Sequence, residues 1–431
     1  MNYEKTIEFL FSQLPAYHRI GKAAYKNDLK NTIAFDEYLG HPHRKYPAIH
    51  IGGTNGKGSV SHMIASVLMD AGYRTGLYTS PHLTDFRERI RIDGKMIPKG
   101  YVTRFIGDHS DFINSLKPSF FEMTVALAFD YFATERVDVA VIEVGLGGRL
   151  DSTNIINPVL SVITNIGHDH MDLLGDSLEK IAYEKAGIIK KGVPVVISET
   201  DTGVKEIFIK KAVEENSEIY FADALLECHL EEYSSSHGRR KYRITDRTGN
   251  IELTGETPLT GDYQAANIQG VYQACSLLGK KFNITDINII RGIRNVVRNT
   301  SLRGRWQKIG NRPLIICDTG HNLEGLKYNL NQIKRIPRSK LRFVLGFVNE
   351  KDLDSVLSLF PAEAEYYFTK ASVPRAMDEK KLMEKAHGKN LQGNSYCDVR
   401  SAVKAARDAA SENDVIYIGG STFVVADALR F

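Results

Sequence analysis

A glycine-rich run, Gly52-Gly53-Thr54-Asn55-Gly56-Lys57-Gly58-Ser59, brings together residue types that can bind phosphate. Glycines allow the backbone to curl so that successive N–H groups converge on one anion. A helix that begins in the run would add the positive end of its dipole. Lys57 can supply a charge for the outer phosphates, and Thr54 or Ser59 can supply a hydroxyl near Mg²⁺. The run therefore predicts a phosphate cradle, with an ordinary glycine turn as the alternative.

The flanks of this run support the cradle more than the motif itself does. The general pattern G-x-x-x-x-G-K-[ST] fails, because Ile51 occupies its first glycine position and Gly58 follows the lysine. However, residues 46–51 read as a buried strand, and Met63 and Val67 continue with helical spacing. A strand, a glycine loop and a helix in this order favour phosphate binding.

A lone carboxylate ends a second apolar strand, which we expect over residues 137–144. Glu143 is followed by the run Gly145-Leu146-Gly147-Gly148-Arg149-Leu150-Asp151. In an open parallel sheet, ligands bind outside the carboxyl ends of the strands, so Glu143 would stand beside the cradle. A hard cation needs an oxygen ligand at such a place. The alternative is an ion pair with Arg149, since an unpaired buried glutamate is rare.

Polar residues also follow a strand expected over residues 158–164. The run Thr164-Asn165-Ile166-Gly167-His168-Asp169-His170-Met171-Asp172 suggests a metal or proton-transfer site, although surface histidines are common. Further along, Lys185 lies among Ala182, Ala186 and Ile189 on the apolar face of a predicted helix. A lysine in that position snorkels to solvent, pairs with an acid, or is chemically altered.

A fourth polar run, Asp318-Thr319-Gly320-His321-Asn322, follows a strand expected over residues 313–317. Asp318 can accept a hydrogen bond from a ribose or an amine, and His321 can face a cleft. The alternative is that Asp318 or Asn322 only caps the helix that follows.

The elements that must position these residues predict an α/β fold. Apolar strands alternate with helical patterns, which indicates a parallel sheet covered on both faces. Helices are expected over residues 3–14 and 29–40 around a loop at 15–27, and a charged loop over 85–91. Residues 218–256 have period-two spacing and predict a small antiparallel addition.

The boundary between two predicted domains falls near residue 299. Residues 1–298 would form a P-loop ATP-binding domain with a mostly parallel sheet and the antiparallel addition. Residues 299–431 repeat the alternation and would form a smaller, Rossmann-like α/β domain.

Composition excludes several classes of function for this chain of 431 residues. A net charge of +4 is too small at this length to favour nucleic acid. The four cysteines are far apart, so neither a zinc site nor a disulfide framework is indicated. A polar start and the absence of a long apolar run argue against a signal peptide and a membrane span. We expect a cytoplasmic monomer.

Taken in order, these motifs resemble one family. The set includes the cradle and the runs at Glu143, Lys185 and Asp318. It also includes Thr79-Ser80-Pro81-His82-Leu83, Gly261-Asp262-Tyr263-Gln264-Ala265-Ala266-Asn267 and Gly304-Arg305. The set is similar to the folylpolyglutamate synthase/dihydrofolate synthase family, which belongs to the Mur-ligase-like ADP-forming amide ligases. The resemblance covers roughly residues 15–430 and is weakest at 200–256 and 350–415. A glycine between the lysine and the serine of the cradle is typical of this family.

The resemblance implies an ATP-dependent ligase that adds L-glutamate through an acyl phosphate. The acceptor would be dihydropteroate, the γ-carboxylate of (tetrahydro)folate, or both, and we expect a bifunctional enzyme. A monofunctional folylpolyglutamate synthase, or a Mur-type ligase with another acid, is the alternative within this class. The segment before the cradle is too short for the N-terminal domain usual in Mur ligases. A P-loop NTPase switch is the alternative from another class, and it would not need Glu143, His170 and Lys185 together.

Roles for individual residues also follow from the resemblance. The expected nucleotide contacts are the cradle residues Gly53, Thr54, Asn55, Gly56, Lys57, Gly58 and Ser59, with Asn267, Arg305 and Asp318. Two Mg²⁺ ions are expected. Their ligands would be Ser80, Glu143, His170 and a carbamylated Lys185. The expected catalytic residues are Lys57, Lys185 and His321. The expected pterin contacts are Phe121, Glu122, Leu150 and Asp151, and Ser421 is expected on the glutamate side or in the cleft.

Overall fold

The computed structural model describes residues 2–14, 28–233, 238–348 and 353–431. The loop predicted at residues 15–27 lies outside the described residues. The chain divides into two compact units. The first comprises Met1–Glu231, Lys241–Pro258 and Gln264–Leu302, and the second comprises Glu232–Arg240, Leu259–Tyr263 and Arg303–Phe431.

The first unit is built on a mostly parallel sheet. Its strands, with those of a smaller antiparallel sheet, are β1 (Ala48–Gly52), β2 (Thr75–Tyr78), β3 (Ile90–Ile92), β4 (Lys95–Met96), β5 (Val139–Glu143), β6 (Leu160–Ile163), β7 (Val195–Ile197), β8 (Ile219–Phe221), β9 (Leu226–Leu230), β10 (Arg240–Asp246) and β11 (Glu252–Thr257). The main sheet has the order β4-β3-β2-β5-β1-β6-β7-β8, and only β3 and β4 run antiparallel to their neighbours. The fold class predicted from the alternation is confirmed.

Helices cover the main sheet. They are α1 (Tyr3–Gln13), α2 (Lys30–Tyr38), α3 (Lys57–Asp70), α4 (Lys99–Asp108), α5 (Ser110–Leu116), α6 (Phe120–Thr134), α7 (Met171–Leu174), α8 (Leu178–Ala186), α9 (Lys205–Glu214), α10 (Ala222–Leu225), α11 (Gln264–Phe282), α12 (Asp286–Arg294) and α13 (Val296–Thr300). Most side chains of α3 are buried, because this helix lies against the sheet and is covered by α11, α12 and α13. The helix that follows the cradle is therefore a core element.

Two local predictions in this unit were wrong. The antiparallel addition begins only at β9, because β8 pairs in parallel with β7 as the edge of the main sheet. The half-exposed residues of β8 look like the amphipathic strands that follow it. The charged residues 85–91 do not form a simple loop. Asp85 and Glu88 make a capping box around the 3₁₀ turn Phe86–Arg89, which leads directly into β3.

The second unit has its own sheet with the order β12-β13-β17-β14-β15-β16. Its strands are β12 (Gln307–Asn311), β13 (Leu314–Cys317), β14 (Leu341–Leu345), β15 (Glu365–Thr369), β16 (Gly393–Tyr396) and β17 (Val415–Gly419). Its helices are α14 (Leu323–Lys334), α15 (Leu353–Leu357), α16 (Glu379–His387), α17 (Val399–Asp408) and α18 (Thr422–Ala428). All pairings are parallel except that of β12 with β13 at one edge. A mostly parallel sheet is what the Rossmann-like prediction implies.

Across the described ranges, no helix combines the length and the apolar character that crossing a lipid bilayer would require.

Candidate active site

The polar runs singled out in the first unit lie at the carboxyl ends of adjacent strands. Strand β1 is flanked by β5 on one side and β6 on the other, so the chain order reverses at β1. Such a reversal opens a crevice outside the strand ends, where ligands bind in open α/β sheets. Ile51 pairs with Glu143, which places this carboxylate beside the start of the cradle. The sheet topology thus brings the cradle and the carboxylate together.

Glycine is required at two places in the cradle. Gly53 has a φ of 130° and Gly56 a φ of 87°, conformations that side chains disfavour. A Cβ atom on Gly53 would lie 1.9 Å from Thr164 Oγ1, and one on Gly56 would lie 2.2 Å from Asn267 Oδ1. The loop therefore closes tightly against the residues that follow β6 and against α11. Asn267, a predicted nucleotide contact, lies directly beside the loop.

The loop after β6 fixes the first half of the cradle. The N–H of Thr54 donates to Asn165 O at 2.9 Å, and the N–H of Asn55 donates to Asn165 Oδ1 at 2.8 Å. The Thr54 hydroxyl donates to Gly167 O at 3.2 Å and accepts from the Gly167 N–H at 3.1 Å. Thr164 Oγ1 donates to Asn55 O at 2.5 Å. The run that follows β6, which suggested a metal or proton-transfer site, thus holds the shape of the cradle.

Two lysine side chains converge on one carbonyl of the cradle. Lys57 Nζ donates to Gly53 O at 3.0 Å and to Thr54 O at 2.9 Å. Lys185 Nζ donates to the same Gly53 O at 2.8 Å, from a side chain on α8 that is only 3 % exposed. Lys185 therefore does not snorkel to solvent. Its amino group lies directly against the backbone of the cradle, close to that of Lys57.

The pKa of Lys185 is lowered from its usual 10.5 to about 7. Burial is the main cause, because it penalises the charged form, and the nearby charge of Lys57 adds to it. The carboxylates of Asp169 and Asp151 act in the opposite direction. A substantial fraction of Lys185 is therefore a neutral amine near neutral pH.

Glu143 and Ser80 form the part of the predicted metal site that the geometry brings together. Glu143 is 3 % exposed, and its Oε2 accepts from the Ser80 N–H at 3.0 Å. Arg149, the alternative partner, donates to Glu184 Oε1 from Nη2 at 2.8 Å and from Nε at 3.1 Å. Arg149 therefore forms an ion pair with a carboxylate on α8.

A divalent cation here would have few side-chain ligands. Within residues 2–14, 28–233, 238–348 and 353–431, no group of three or more His, Cys, Asp or Glu could hold a metal ion. His170 has a left-handed φ of 48°, caps α7, and has its Nε2 3.7 Å from Asp169 Oδ1. The buried Glu143 carboxylate, with Ser80 beside it, still suits Mg²⁺, which keeps several waters and binds phosphate oxygens. The donor set therefore fits Mg²⁺ that arrives with a nucleotide.

The predicted pterin contacts lie around the segment after β5. A Cβ atom on Gly145 would lie 2.3 Å from Phe121 Cζ, so the ring packs on the backbone of this loop. Glu122 is the reciprocal residue of the capping box of α6, where its Oε2 accepts from the Ser119 N–H at 2.6 Å. Leu150 is half-buried. The Phe121 ring and the segment after β5 are thus in contact.

Asp151 is held by a dense set of donors. Its Oδ1 accepts from the Thr153 hydroxyl at 2.5 Å and from the Thr153 N–H at 3.0 Å. Its Oδ2 accepts from the Leu146 N–H at 2.8 Å. Burial raises the pKa of Asp151, and these hydrogen bonds oppose the increase. Asp151 is therefore a rigidly oriented carboxylate.

The serine of the cradle is linked to α11. Gln264 Nε2 donates to Ser59 Oγ at 3.2 Å, and Asn267 Nδ2 donates to Gln264 Oε1 at 2.9 Å. Ser59 is fully buried. The Gly-Asp-Tyr-Gln run thus contributes a glutamine that orients the cradle serine, a role that the sequence did not reveal.

In the second unit, Asp318 is the centre of a hydrogen-bond network. Its Oδ2 accepts from Tyr263 Oη at 2.6 Å and from the Trp306 N–H at 2.7 Å. Its Oδ1 accepts from the Gly320 N–H and from Asn329 Nδ2, both at 2.8 Å. Because an ionised carboxylate offers about four acceptor positions, this network uses its capacity fully. A bound ligand would have to replace one of these donors.

Arg305 and His321 lie beside this network. Arg305 Nη1 donates to Thr319 Oγ1, and His321 Nδ1 lies 3.1 Å from Thr319 O. Asn322 caps α14 by accepting from the Gly325 N–H at 2.9 Å, so the capping alternative is confirmed for Asn322.

Ser421, predicted on the glutamate side, is the N-cap residue of α18. Its Oγ accepts from the Phe423 N–H at 3.2 Å, and the residue is buried. This contact gives the hydroxyl a structural role within the second unit.

Comparison with known proteins adds to this geometry. Residues 51–275 match the Mur ligase middle domain, and residues 304–422 match the glutamate ligase domain of Mur ligases. The dihydrofolate synthase/folylpolyglutamate synthase of Bacillus subtilis is 31% identical over 90% of this chain and 91% of its own length. A probable bifunctional folylpolyglutamate synthase/dihydropteroate synthase of Haloferax volcanii is 30% identical over 99% of this chain, which spans about half of that relative (50%).

A solved structure is similar to this chain over its whole length. It is the bifunctional folylpolyglutamate synthase/dihydrofolate synthase of Yersinia pestis, complexed with AMPPNP and Mn ion. Its TM-score is 0.84 and its sequence identity 26%, covering 100% of this chain and 98% of the other.

Proposed function

This chain belongs to the Mur ligase family, within the group of the folylpolyglutamate and dihydrofolate synthases, and we propose that it joins L-glutamate to pterin acids with ATP. The acids are dihydropteroate and the γ-carboxylate of (tetrahydro)folate, so the enzyme is bifunctional and forms ADP. The observation that carries this proposal is the convergence of Lys57 and Lys185 on Gly53 O, beside the strand that ends in Glu143.

The chemistry requires a carboxylate to become a good acyl donor. Its oxygen attacks the γ-phosphorus of ATP, the bond to ADP breaks, and an acyl phosphate forms. The neutral amine of glutamate then attacks the acyl carbon, phosphate leaves with the electron pair of the C–O bond, and the amine loses a proton. Negative charge gathers on the transferred phosphoryl group, and Lys57 with the amides that begin α3 can neutralise it.

Mg²⁺ is the cation that the donor set fits, and Glu143 and Ser80 would hold it. When bound, it neutralises charge on the phosphates and orients them. The metal and the nucleotide analogue in the Yersinia pestis structure support this assignment. We assign His170 and a carbamylated Lys185 to the same function, with a second ion.

Carbamylation of Lys185 is chemically reasonable for a buried lysine. A neutral amine attacks CO₂, forms an N–C bond and releases one proton, which leaves a carbamate with a negative charge. The lowered pKa of Lys185, about 7, provides the neutral amine near neutral pH. A carbamate would also replace the repulsion between Lys185 and Lys57 with attraction.

The remaining substrate contacts are part of the same proposal. Phe121, Glu122, Leu150 and Asp151 would receive the pterin acid. Asn267 would contact the nucleotide beside the cradle, which its position against Gly56 supports.

Two functions are proposed for residues of the second unit. Arg305 and Asp318 would contact the nucleotide, and His321 and Ser421 would contact glutamate. Four donors hold Asp318 in a defined position, and a donor group of the nucleotide would take the place of one of them.

The test is ADP release by the purified protein with Mg-ATP and L-glutamate. Dihydropteroate and tetrahydrofolate are supplied separately, and Lys57→Ala gives the background. Release with both acids supports the bifunctional enzyme, whereas release with tetrahydrofolate alone indicates a monofunctional polyglutamate synthase. A folded, ATP-binding protein that releases ADP with neither acid would overturn the proposal.

A second variant separates the ligase from a nucleotide switch. Lys185→Ala should reduce ligation strongly, because both the proposed metal site and the charge balance at Gly53 depend on this side chain. A switch would tolerate the change, so full nucleotide hydrolysis without any dependence on Lys185 would favour that reading.

A further inference from the structure

A histidine inside the main sheet is used by none of the chemistry above. His50 lies in the middle of β1 and is fully buried. Its Nε2 is 2.9 Å from Thr153 Oγ1. Its Nδ1 is also buried and has no hydrogen-bond partner among the described residues. A buried polar atom without a partner is unfavourable, so a histidine kept purely for packing would be a poor choice at this position.

The hydrogen-bond directions follow from the partner of Thr153. Thr153 Oγ1 is 2.5 Å from Asp151 Oδ1, and an ionised carboxylate can only accept. The single hydroxyl proton of Thr153 therefore goes to Asp151. The hydroxyl oxygen is then left to accept from His50, which must carry its proton on Nε2. A chain of donors results, from His50 through Thr153 to Asp151.

The protonation state of His50 is consistent with this chain. Burial lowers the pKa of His50 to about 3, with a smaller contribution from the charge of Lys190. The imidazole therefore stays neutral near pH 7. A neutral ring with its proton on Nε2 donates one hydrogen bond to Thr153.

The hydrogen bonds that begin at His50 reach the candidate active site at Asp151. Among the hydrogen bonds that oppose the effect of burial on Asp151, the one from the Thr153 hydroxyl has the largest effect on its pKa. The charge of Asp151 in turn favours the protonated form of Lys185. A change in the orientation of the Thr153 hydroxyl would therefore alter the acceptor that Asp151 presents at the site.

We propose that His50 is a positioning residue, which acts through Thr153 to hold Asp151 as an ionised, fixed acceptor for the N–H groups of the pterin ring. The ligand part of this inference rests on the proposed function. The donor chain itself is a property of the folded protein.

The first test needs no substrate. Nitrogen-15 spectra of histidine-labelled protein should show His50 as a neutral imidazole protonated on Nε2. The resonance should not titrate between about pH 5 and pH 8, given its pKa of about 3. Thr153→Val should shift it, because the acceptor disappears. A His50 resonance protonated on Nδ1, or one that titrates near neutral pH, would overturn the inference.

The second test is kinetic and uses matched pairs. Thr153→Val and His50→Leu should each raise the KM for the acid substrate about three- to tenfold, the effect of one hydrogen bond, without changing the KM for ATP. Thr153→Ser and His50→Gln each keep a donor and should recover most of that loss. Thr369→Val is the control for the loss of a hydroxyl. It removes a buried hydroxyl of the second unit that has no hydrogen-bond partner in the part of the chain that the structure describes.

A double-mutant cycle separates positioning from general destabilisation. In an Asp151→Asn background, His50→Leu should add little further change in KM, because its effect passes through the carboxylate. Additive losses, or an unchanged KM in His50→Leu, would contradict the inference. If His50→Leu does not fold, Thr153→Val completes the cycle. Failure of the wild type to release ADP with either acid would reject the proposed function, while the spectra still decide the donor chain.

Discussion

Replacing Lys185 with methionine tests the charge balance beneath the cradle. The side chain is 3 % exposed, and its ammonium lies 2.8 Å from Gly53 O and near the charge of Lys57. Its pKa is lowered from 10.5 to about 7 in the folded protein. Between these values the unfolded chain binds more protons than the folded one, so stability rises with pH across this window. Methionine has a similar length and no charge, and the variant lacks this dependence.

The expected size follows from the two pKa values. The whole interval from 10.5 to about 7 corresponds to about 5 kcal/mol, at ~1.36 kcal/mol for each tenfold change in proton affinity. Slightly less than this is gained between pH 7 and pH 10.5, because the lysine is half-protonated in one of the two states at each limit. The free energy of unfolding of the wild type, relative to that of Lys185→Met, should therefore increase by about 4 kcal/mol from pH 7 to pH 10.5. At pH 7 the Lys185→Met variant should be more stable than the wild type, because the wild type must bury a charge or lose a proton.

Urea unfolding at a series of pH values measures this difference. The buffers must be free of metal and depleted of CO₂, because a carbamate would change the charge of Lys185. Lys180→Met is the control, since Lys180 lies on the same helix and is exposed. Lys57→Met should reduce the dependence on pH, because it removes a neighbouring positive charge. Parallel stability curves for the wild type and Lys185→Met would refute the reasoning.

Three further substitutions probe the cradle and the proposed metal site. Lys57→Ala should lower kcat at least about 100-fold, because it removes the charge aimed at the phosphates; near-normal turnover in the ADP assay would contradict this role. Glu143→Gln should lower kcat about 10- to 100-fold and raise the Mg²⁺ concentration needed for half-maximal rate. An unchanged Mg²⁺ titration would remove Glu143 from the metal site. Gly53→Ala should weaken ATP binding measured by calorimetry, since its Cβ would lie 1.9 Å from Thr164 Oγ1. Wild-type affinity with an unchanged Tm would show that the loop can relax.

The sequence predicted the strands that are buried on both faces and missed those at the edges. β1, β5 and β6 are fully buried and mostly apolar, because helices cover both faces of the sheet centre. β12 and β16 are half-exposed edge strands with polar residues, and nothing in their composition separates them from loops. Edge strands depend on a neighbour for their pairing, and this neighbour is distant in the sequence.

For the site, the sequence predicted locations but not partners. The rule that ligands bind at strand ends correctly placed Glu143 beside the cradle. It could not show that Arg149 pairs with Glu184, or that Asn165 fixes Asn55. These contacts depend on the register of strands and helices that meet only in the folded chain. The same residue types would have allowed several other pairings.

The hydrogen bonds of the cradle divide it into a fixed half and a receiving half. The N–H groups of Thr54 and Asn55 are already used by the loop after β6, so they hold the backbone rather than a ligand. The first N–H groups of an α-helix have no partner within the helix, and α3 begins at Lys57. We therefore propose that the amides at the start of α3, together with the Lys57 ammonium, bind the phosphates. Because the fixed half is built into the fold, a nucleotide meets a loop that is already ordered, and little binding energy is lost in shaping it.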